Sequence, residues 1–249
     1  MLSDIEKDRY SRHINLKNFG ENSQEKLKAS KVLCIGAGGL GSPTLMYLAS
    51  SGIGQIGIID FDDVSLSNLQ RQLIHFEKNI DKSKVESAKE YLEQMNSNIK
   101  IKTYNGSILD ANYEELIKEY DIIATCVDDL ATRYKINDLC QKYKRIQVSA
   151  NVVGYDGFIS TFRYNKTSPC YECLQPKSQT NVIKKASDIG VFAPLVGILG
   201  CYIASEVIKE ILEIGNSLEG KIKTISILSN IEQIIKLNKK PNCPCCTSN

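Results

Sequence analysis

Short apolar runs that close on glycine or an acid, separated by stretches with helical spacing, organise the first 150 residues. Residues 32–35 read as a buried strand ending in glycines, 39–51 as a helix and 55–60 as a second strand, the βαβ rhythm of a parallel sheet. Ser83 and Glu86 stand at capping-box spacing, and Val85, Ala88, Leu92 and Met95 follow at helical intervals as one apolar stripe. Further strands are predicted at 99–104, 121–125 and 145–149, with helices near 113–118 and 130–143 between them. Ser3 and Glu6 repeat the capping spacing, which predicts a short polar helix through Tyr10 to about His13, inside an N-terminal helical segment 1–20. Residues 61–79 are polar with little periodicity, the mark of a long functional connection.

Beyond Ala150 the pattern changes. Residues 152–162 alternate around Gly154 and Gly157 like antiparallel strands with a turn, and 175–188 is polar and unpatterned, a predicted mobile loop. A long apolar helix is expected at 194–212, and two closing strands at 221–228 and 232–237. The expected class is therefore α/β: a doubly wound, Rossmann-like, mostly parallel sheet extended by antiparallel strands. Residues 1–249 form one expected domain, with a nucleotide-binding core at 30–150 and a distinct part at 151–249.

At 42% hydrophobic and 24% charged residues, the 249-residue chain can bury a sizeable core. A net charge of +2 with well-mixed signs argues against nucleic acid or an anionic membrane as the main partner. The longest apolar stretch, 191–205, is broken by Pro194, Gly197 and Gly200 and is too short to span a bilayer. The polar start gives no secretory leader, so a cytoplasmic protein is expected, in which nine cysteines suggest metal or chemistry before disulfides.

Gly36, Gly38 and Gly41 form G-x-G-x-x-G between a strand and a helix, and Asp60 ends the following strand. Glycines let the backbone approach phosphate, the helix start offers free amides, and the acid accepts from ribose hydroxyls. No Lys precedes Ser42, so the phosphate loop of the G-x-x-x-x-G-K-[ST] type is absent. Downstream stand Asp62, the run Ser67, Asn68, Leu69, Gln70, Arg71, Gln72, then Lys84, and Asp128 and Asp129 after the strand ending near Thr125. Ligands of an open parallel sheet sit beyond the carboxyl ends of its strands, so Asp60, Asp62 and Asp128 should share one crevice. Asp128 stands where magnesium needs a carboxylate, and Arg71 and Lys84 where cations would stabilise departing pyrophosphate. Singly, each has a plainer reading, an exposed surface charge or, for Asp128, a helix cap.

Cys170-x-x-Cys173 and Cys243-x-x-Cys246 are two knuckles, and four thiolates at this spacing satisfy a closed tetrahedral zinc site of structural type. A redox pair is the rival, and Cys245 is an extra thiol able to substitute as ligand. Cys34, Cys126, Cys140 and Cys201 read as small buried fillers, and His13 and His75 as solvated or hydrogen-bonded bystanders.

With these residues in place, the chain resembles the MoeB/ThiF/HesA group, bacterial relatives of the ubiquitin-activating enzymes, and most of all the MoeB type. The matching elements run in order: Arg9-Tyr10-Ser11-Arg12, Gly36-Ala37-Gly38-Gly39-Leu40-Gly41-Ser42, Asp60-Phe61-Asp62, Ser67 to Gln72, Lys84 to Ala88, Asp128 and both knuckles. The resemblance implies a homodimer that uses ATP and Mg2+ to adenylate the C-terminal glycine of a ubiquitin-like sulfur carrier ending in Gly-Gly, MoaD- or ThiS-like, for molybdopterin or thiamine synthesis. Carried across, Gly39, Asp60, Ser67 to Arg71, Lys84 and Asp128 would contact ATP or its metal. Arg12 would reach the partner subunit's phosphates, Cys170, Cys173, Cys243 and Cys246 would hold Zn2+, and 151–249 would bind the carrier.

Two departures stand out: Ala186 where many relatives carry a loop cysteine, and Asp129 where they have Asn. The sequence stops after the second knuckle, so no appended sulfurtransferase domain is expected. The alternatives are an NAD-dependent oxidoreductase on the same glycine fingerprint, and a non-catalytic zinc-containing scaffold of the same fold.

Overall fold

The computed structural model describes residues 1–178 and 189–247. Most of the predicted 175–188 loop, Ala186 included, lies outside the described residues. The strands are β1 Lys31–Ile35, β2 Gln55–Asp60, β3 Lys100–Asn105, β4 Ile122–Thr125, β5 Ile146–Val153, β6 Asp156–Phe162, β7 Lys221–Ser226 and β8 Ile231–Lys236. Among the described residues they form one sheet in the order β3-β2-β1-β4-β5-β6-β7-β8. From β3 to β5 every pairing is parallel, and from β5 to β8 every pairing is antiparallel. This is the doubly wound, mostly parallel sheet with an antiparallel extension that the sequence predicts.

The helices are α1 Asp4–Arg9, α2 Ser11–Ile14, α3 Gly20–Ala29, α4 Gly41–Ser50, α5 Lys84–Met95, α6 Leu116–Glu119, α7 Leu130–Tyr143, α8 Tyr171–Leu174, α9 Ala193–Leu212 and α10 Pro244–Thr247. Alternate strand residues feed two cores. Val32 and Cys34 of β1, with Ile56 and Ile58 of β2, pack under Leu27, Leu48, Leu92 and Leu199 from α3, α4, α5 and α9. Leu33 and Ile35, with Ile59 and Ile123, face Ile117, Ile136 and Leu139 from α6 and α7. Burial on both faces explains why these strands read as continuous apolar runs rather than as alternations. Truncating a wholly buried leucine such as Leu33 or Leu48 costs about 2–5 kcal/mol. No helix among the described residues is long and apolar enough to cross a membrane.

Local differences from the sequence reading have identifiable causes. Ser3 and Glu6 do form a capping box, but the same spacing at Ser83 and Glu86 makes no side-chain cap. There the Lys84 N–H donates to the Asp62 carbonyl at 2.9 Å, and Glu86 accepts from Thr103 Oγ1 at 2.7 Å. The N-terminal segment is two short helices broken at Tyr10, whose buried hydroxyl accepts from Asn96 Nδ2 at 2.9 Å. A further helix, α3, has few apolar residues to give it a period. The helix expected at 113–118 resolves into a 3-10 turn at Ala111–Tyr113 and the single-turn α6. β5 runs past its expected end because β6 pairs with it as far as Val153 and Asp156. Cys201 is partly exposed rather than buried.

Candidate active site

β1 is hydrogen-bonded to β2 on one side and β4 on the other, so the connections leave it in opposite directions and open a crevice beyond its carboxyl end. The glycine turn fills that end. Gly36 takes φ +98°, and a Cβ there would fall 2.7 Å from the Cys126 carbonyl oxygen; one on Gly41 would fall 2.1 Å from the Gly36 oxygen. Only glycine allows so compact a turn. Asp60, at the end of β2, braces it: Oδ2 accepts the Ala37 N–H at 2.7 Å and Oδ1 the Asp62 N–H at 2.9 Å. Each oxygen keeps acceptor capacity for a ribose hydroxyl. Burial raises the Asp60 pKa, and the Lys84 ammonium opposes that rise.

A second brace was not legible in the sequence. His75 is buried, with Nδ1 at 2.8 Å from Ser87 Oγ on α5 and Nε2 at 3.0 Å from the Ala37 carbonyl oxygen. Burial pulls its pKa down to about 4, so at neutral pH the ring is uncharged. Its Nε2–H donates to Ala37 and its Nδ1 accepts from Ser87. His75 is hydrogen-bonded, as one of its two sequence readings has it, but it is buried rather than solvated and ties the glycine turn to α5. His13, by contrast, is half-buried, tilted against Phe19, and lowered in pKa by burial alone.

Beyond the turn lies a cavity of about 390 Å³, lined among others by Gly36, Gly38, Gly39, Asp60, Asp62 and Lys84. Asn68, Gln70, Arg71, Asp128, Asp129 and Arg133 complete much of its polar wall. Such a volume suits a cofactor- or nucleotide-sized ligand. Lys84 is buried and its Nζ lies 2.7 Å from Asp62 Oδ2. Arg71 donates from Nη1 to the Ser67 carbonyl at 3.0 Å, and its stem lies against Gly39, where a Cβ would come within 3.4 Å of Arg71 Cγ.

The carboxylates after β4 divide their work. Asp129 accepts the Thr132 N–H at 2.8 Å and caps α7, so the capping role considered for Asp128 belongs to its neighbour. Asp128 is exposed to the cavity. Cavity carboxylates with phosphate oxygens beside them match the oxygen ligation that magnesium prefers, and Asp128 and Asp62 are the residues that fit it.

Gly41, Ser67 and Leu69 do not line the cavity themselves; Gly41 shapes the turn and Ser67 anchors Arg71 through its carbonyl. Arg12 lies exposed on α2 and is not part of this chain's cavity wall. Gln72, Asn151 and Arg133 line the cavity without having been assigned from sequence as ligand-facing. Arg133 had no available signal, since a basic residue inside a helical pattern reads as surface.

The second assembly is the cysteine cluster. Cys170, Cys173, Cys243 and Cys246 are all buried, with one sulfur from each inside a common 4.8 Å envelope. Measured pairs are 3.5 Å for Cys170–Cys243, 3.6 Å for Cys173–Cys246 and 4.0 Å for Cys170–Cys173. Zinc–sulfur bonds of about 2.3 Å at tetrahedral angles set sulfurs about 3.8 Å apart, so the donor set fits that metal. A hydrogen bond from Cys170 lowers the Cys173 thiol to about 4, while Cys170 itself is raised. The Lys240 N–H also donates to Cys173 Sγ at 3.4 Å. Cys245 is not one of the four: its Sγ accepts from Asn137 Nδ2 at 2.9 Å.

Residues 10–245 match the ThiF family. The chain is 42% identical over 234 residues to molybdopterin-synthase adenylyltransferase of Haemophilus influenzae, covering 94% of this chain and 96% of that protein. Against the protein of the same name from Escherichia coli it is 39% identical over 245 residues, 98% of each. It is 40% identical to adenylyltransferase and sulfurtransferase MOCS3-1 of Zea mays, covering 97% of this chain but 52% of that one, so it spans about half the length of that relative. Among solved structures, Escherichia coli MccB with ATP superposes at a TM-score of 0.83 with 29% identity, covering 96% of this chain and 74% of that one. Fold, glycine turn and sequence agree: the chain belongs to the ThiF family.

Proposed function

We propose that this chain is an adenylyltransferase that joins AMP from ATP to a carboxylate, and that the carboxylate is the C-terminal glycine of a ubiquitin-like sulfur carrier ending in Gly-Gly. The observation that carries the reading is the meeting of Arg71, Lys84 and Asp128 with Gly36, Gly38 and Gly39 around one cavity. A dinucleotide site needs the glycines and the acid; two cations and a further carboxylate suit a triphosphate. The names of the bacterial relatives favour a molybdopterin carrier over a thiamine one.

In this reading Asp60 receives the ribose and the glycine turn the phosphates. The carrier's carboxylate oxygen attacks the α-phosphorus, the bond to the bridging oxygen breaks, and pyrophosphate leaves. Lys84 and Arg71 face the charge that develops on the departing group, where a pre-set cation lowers the barrier most. Lys84 is already fixed by Asp62 at 2.7 Å, so it needs no reorganisation. Magnesium, when bound, supplies positive charge at the phosphates, and Asp128 with Asp62 would hold it. Arg12, exposed on α2, is assigned to the phosphates of a second copy in a homodimer. The four cysteines are assigned to structural zinc, in a chain that works in the reducing cytoplasm.

Exchange of labelled pyrophosphate into ATP, dependent on added carrier, tests the proposal. Exchange should appear with a carrier ending in Gly-Gly and vanish when its C-terminus is a carboxamide. No exchange with any such carrier of the same cell would refute it.

A further inference from the structure

Arg133 carries a permanent charge on α7, yet its side chain is wholly buried in the cavity wall. Its acceptors are all neutral. Nη1 donates to Ser149 Oγ at 2.9 Å, and Nη2 to the Ala150 carbonyl at 2.8 Å, to the Val127 carbonyl and, at 3.5 Å, to Asn151 Oδ1. Nε has no acceptor among the described residues, and the guanidinium carbon sits 5.9 Å from the Tyr171 ring centroid. No carboxylate among the described residues forms an ion pair with it. Buried charges are ordinarily paired, because an unpaired one is costly to hold away from water.

The placement of these bonds matters as much as their number. Ser149, Ala150 and Asn151 belong to β5, and Val127 directly precedes Asp128 after β4. Arg133 therefore ties together the ends of β4 and β5. Arg71 and Lys84 both follow β2, on the other side of the glycine turn. The cavity thus has cations on both flanks: two on the β2 side, and one, lacking a counter-charge, beside Asn151.

Resting on the adenylation reading above, we infer that Arg133 is the positioning residue for the terminal carboxylate of the acyl substrate. Its burial keeps it from touching that substrate. It acts by holding Asn151, which lines the cavity, and by presenting a charge that the arriving carboxylate compensates. The β4–β5 wall is then the acyl side of the site and the β1–β2 side the nucleotide side.

The test compares a carrier ending in Gly-Gly as its free carboxylate and as its C-terminal carboxamide, titrated into wild type, Arg133→Met and Arg133→Lys with ATP affinity measured in parallel. Wild type should prefer the carboxylate by about tenfold or more, the range of a unit charge acting over a short distance inside a protein. Arg133→Met should bring that preference close to one, Arg133→Lys should keep most of it, and ATP affinity should change less than about threefold in either. Should Arg133→Met fail to fold, Asn151→Ala carries the test, with carrier affinity several-fold weaker and ATP affinity held. An unchanged preference in Arg133→Met overturns the inference. So does equal loss in both Arg133 variants together with ATP affinity, which marks a purely structural role, or unchanged carrier affinity in Asn151→Ala. A wild type that binds no carrier in either form removes the adenylation reading as well.

Discussion

The cavity beyond the glycine turn and the cysteine cluster are both sites built from distant segments, but they are held in opposite ways. Around the glycine turn the protein's own bonds fix the geometry: Asp60 and His75 grip Ala37 from two sides, and Lys84 is pinned by Asp62. In the cluster, four sulfurs from segments 73 residues apart face mainly one another. The cavity is preorganised before a ligand arrives, whereas the cluster's cohesion is expected to come from a metal that its four sulfurs fit. Changes in the first should therefore alter chemistry more than folding, and changes in the second the reverse.

The largest expected effect on stability is at the cluster. Cys173→Ser, or removal of metal by a strong chelator, should lower unfolding free energy by on the order of 5 kcal/mol or more, read as a large drop in Tm with loss of about one bound zinc. A zinc-free protein that melts at the same temperature would break the comparison on this side. On the other side, Lys84→Ala should slow carrier-dependent pyrophosphate exchange by about 10²–10³-fold. Tm should move little, because the Asp62 side chain is already 50% exposed and can be hydrated. Collapse of folding in that variant would contradict the preorganised view.

A smaller effect is a pH slope from His75. Its unfolded pKa is near 6.5 and its folded value about 4, so the unfolded chain binds the proton first. The contribution is complete above pH 6.5 and is lost as pH falls toward 4, by up to about 3 kcal/mol. Denaturant titrations at pH 7 and pH 4.5 should show the loss in wild type and a flatter profile in His75→Gln. The smallest effect concerns the α7 cap: Asp129→Ala should cost about 1 kcal/mol, while Asp129→Asn, which caps equally well, should stay within about 0.5 kcal/mol. Equal loss in both variants would mean that the charge, not the cap, is what α7 needs.

The same contrast shows what was legible in the sequence. Strands such as β2 were readable because burial on both faces makes one continuous apolar run, and helices such as α5 because burial of one face imposes a period. Glycines 36, 38 and 41 and the paired cysteines were readable because their chemistry tolerates few substitutes and their spacing is local. His75 and Arg133 were not, since each acts through backbone carbonyls and hydroxyls brought in from other elements, which no spacing records. The capping box at Ser83 failed for the same reason: a tertiary partner, Thr103, took the Glu86 carboxylate that a local cap would have used. Helix α3 carries no legible period because Gln24, buried through a bond to the Ser51 carbonyl at 2.8 Å, occupies a core position where the period calls for an apolar residue.

Equilibrium titration of ATP, with and without magnesium, into wild type, Lys84→Ala and Asp128→Ala tests the claim that these charges serve a triphosphate. Wild type should bind ATP more tightly with magnesium, Asp128→Ala should lose the magnesium-dependent gain alone, and Lys84→Ala should weaken binding in both conditions. Tight NAD binding with no ATP binding, or variants that bind ATP as wild type does, would contradict the account.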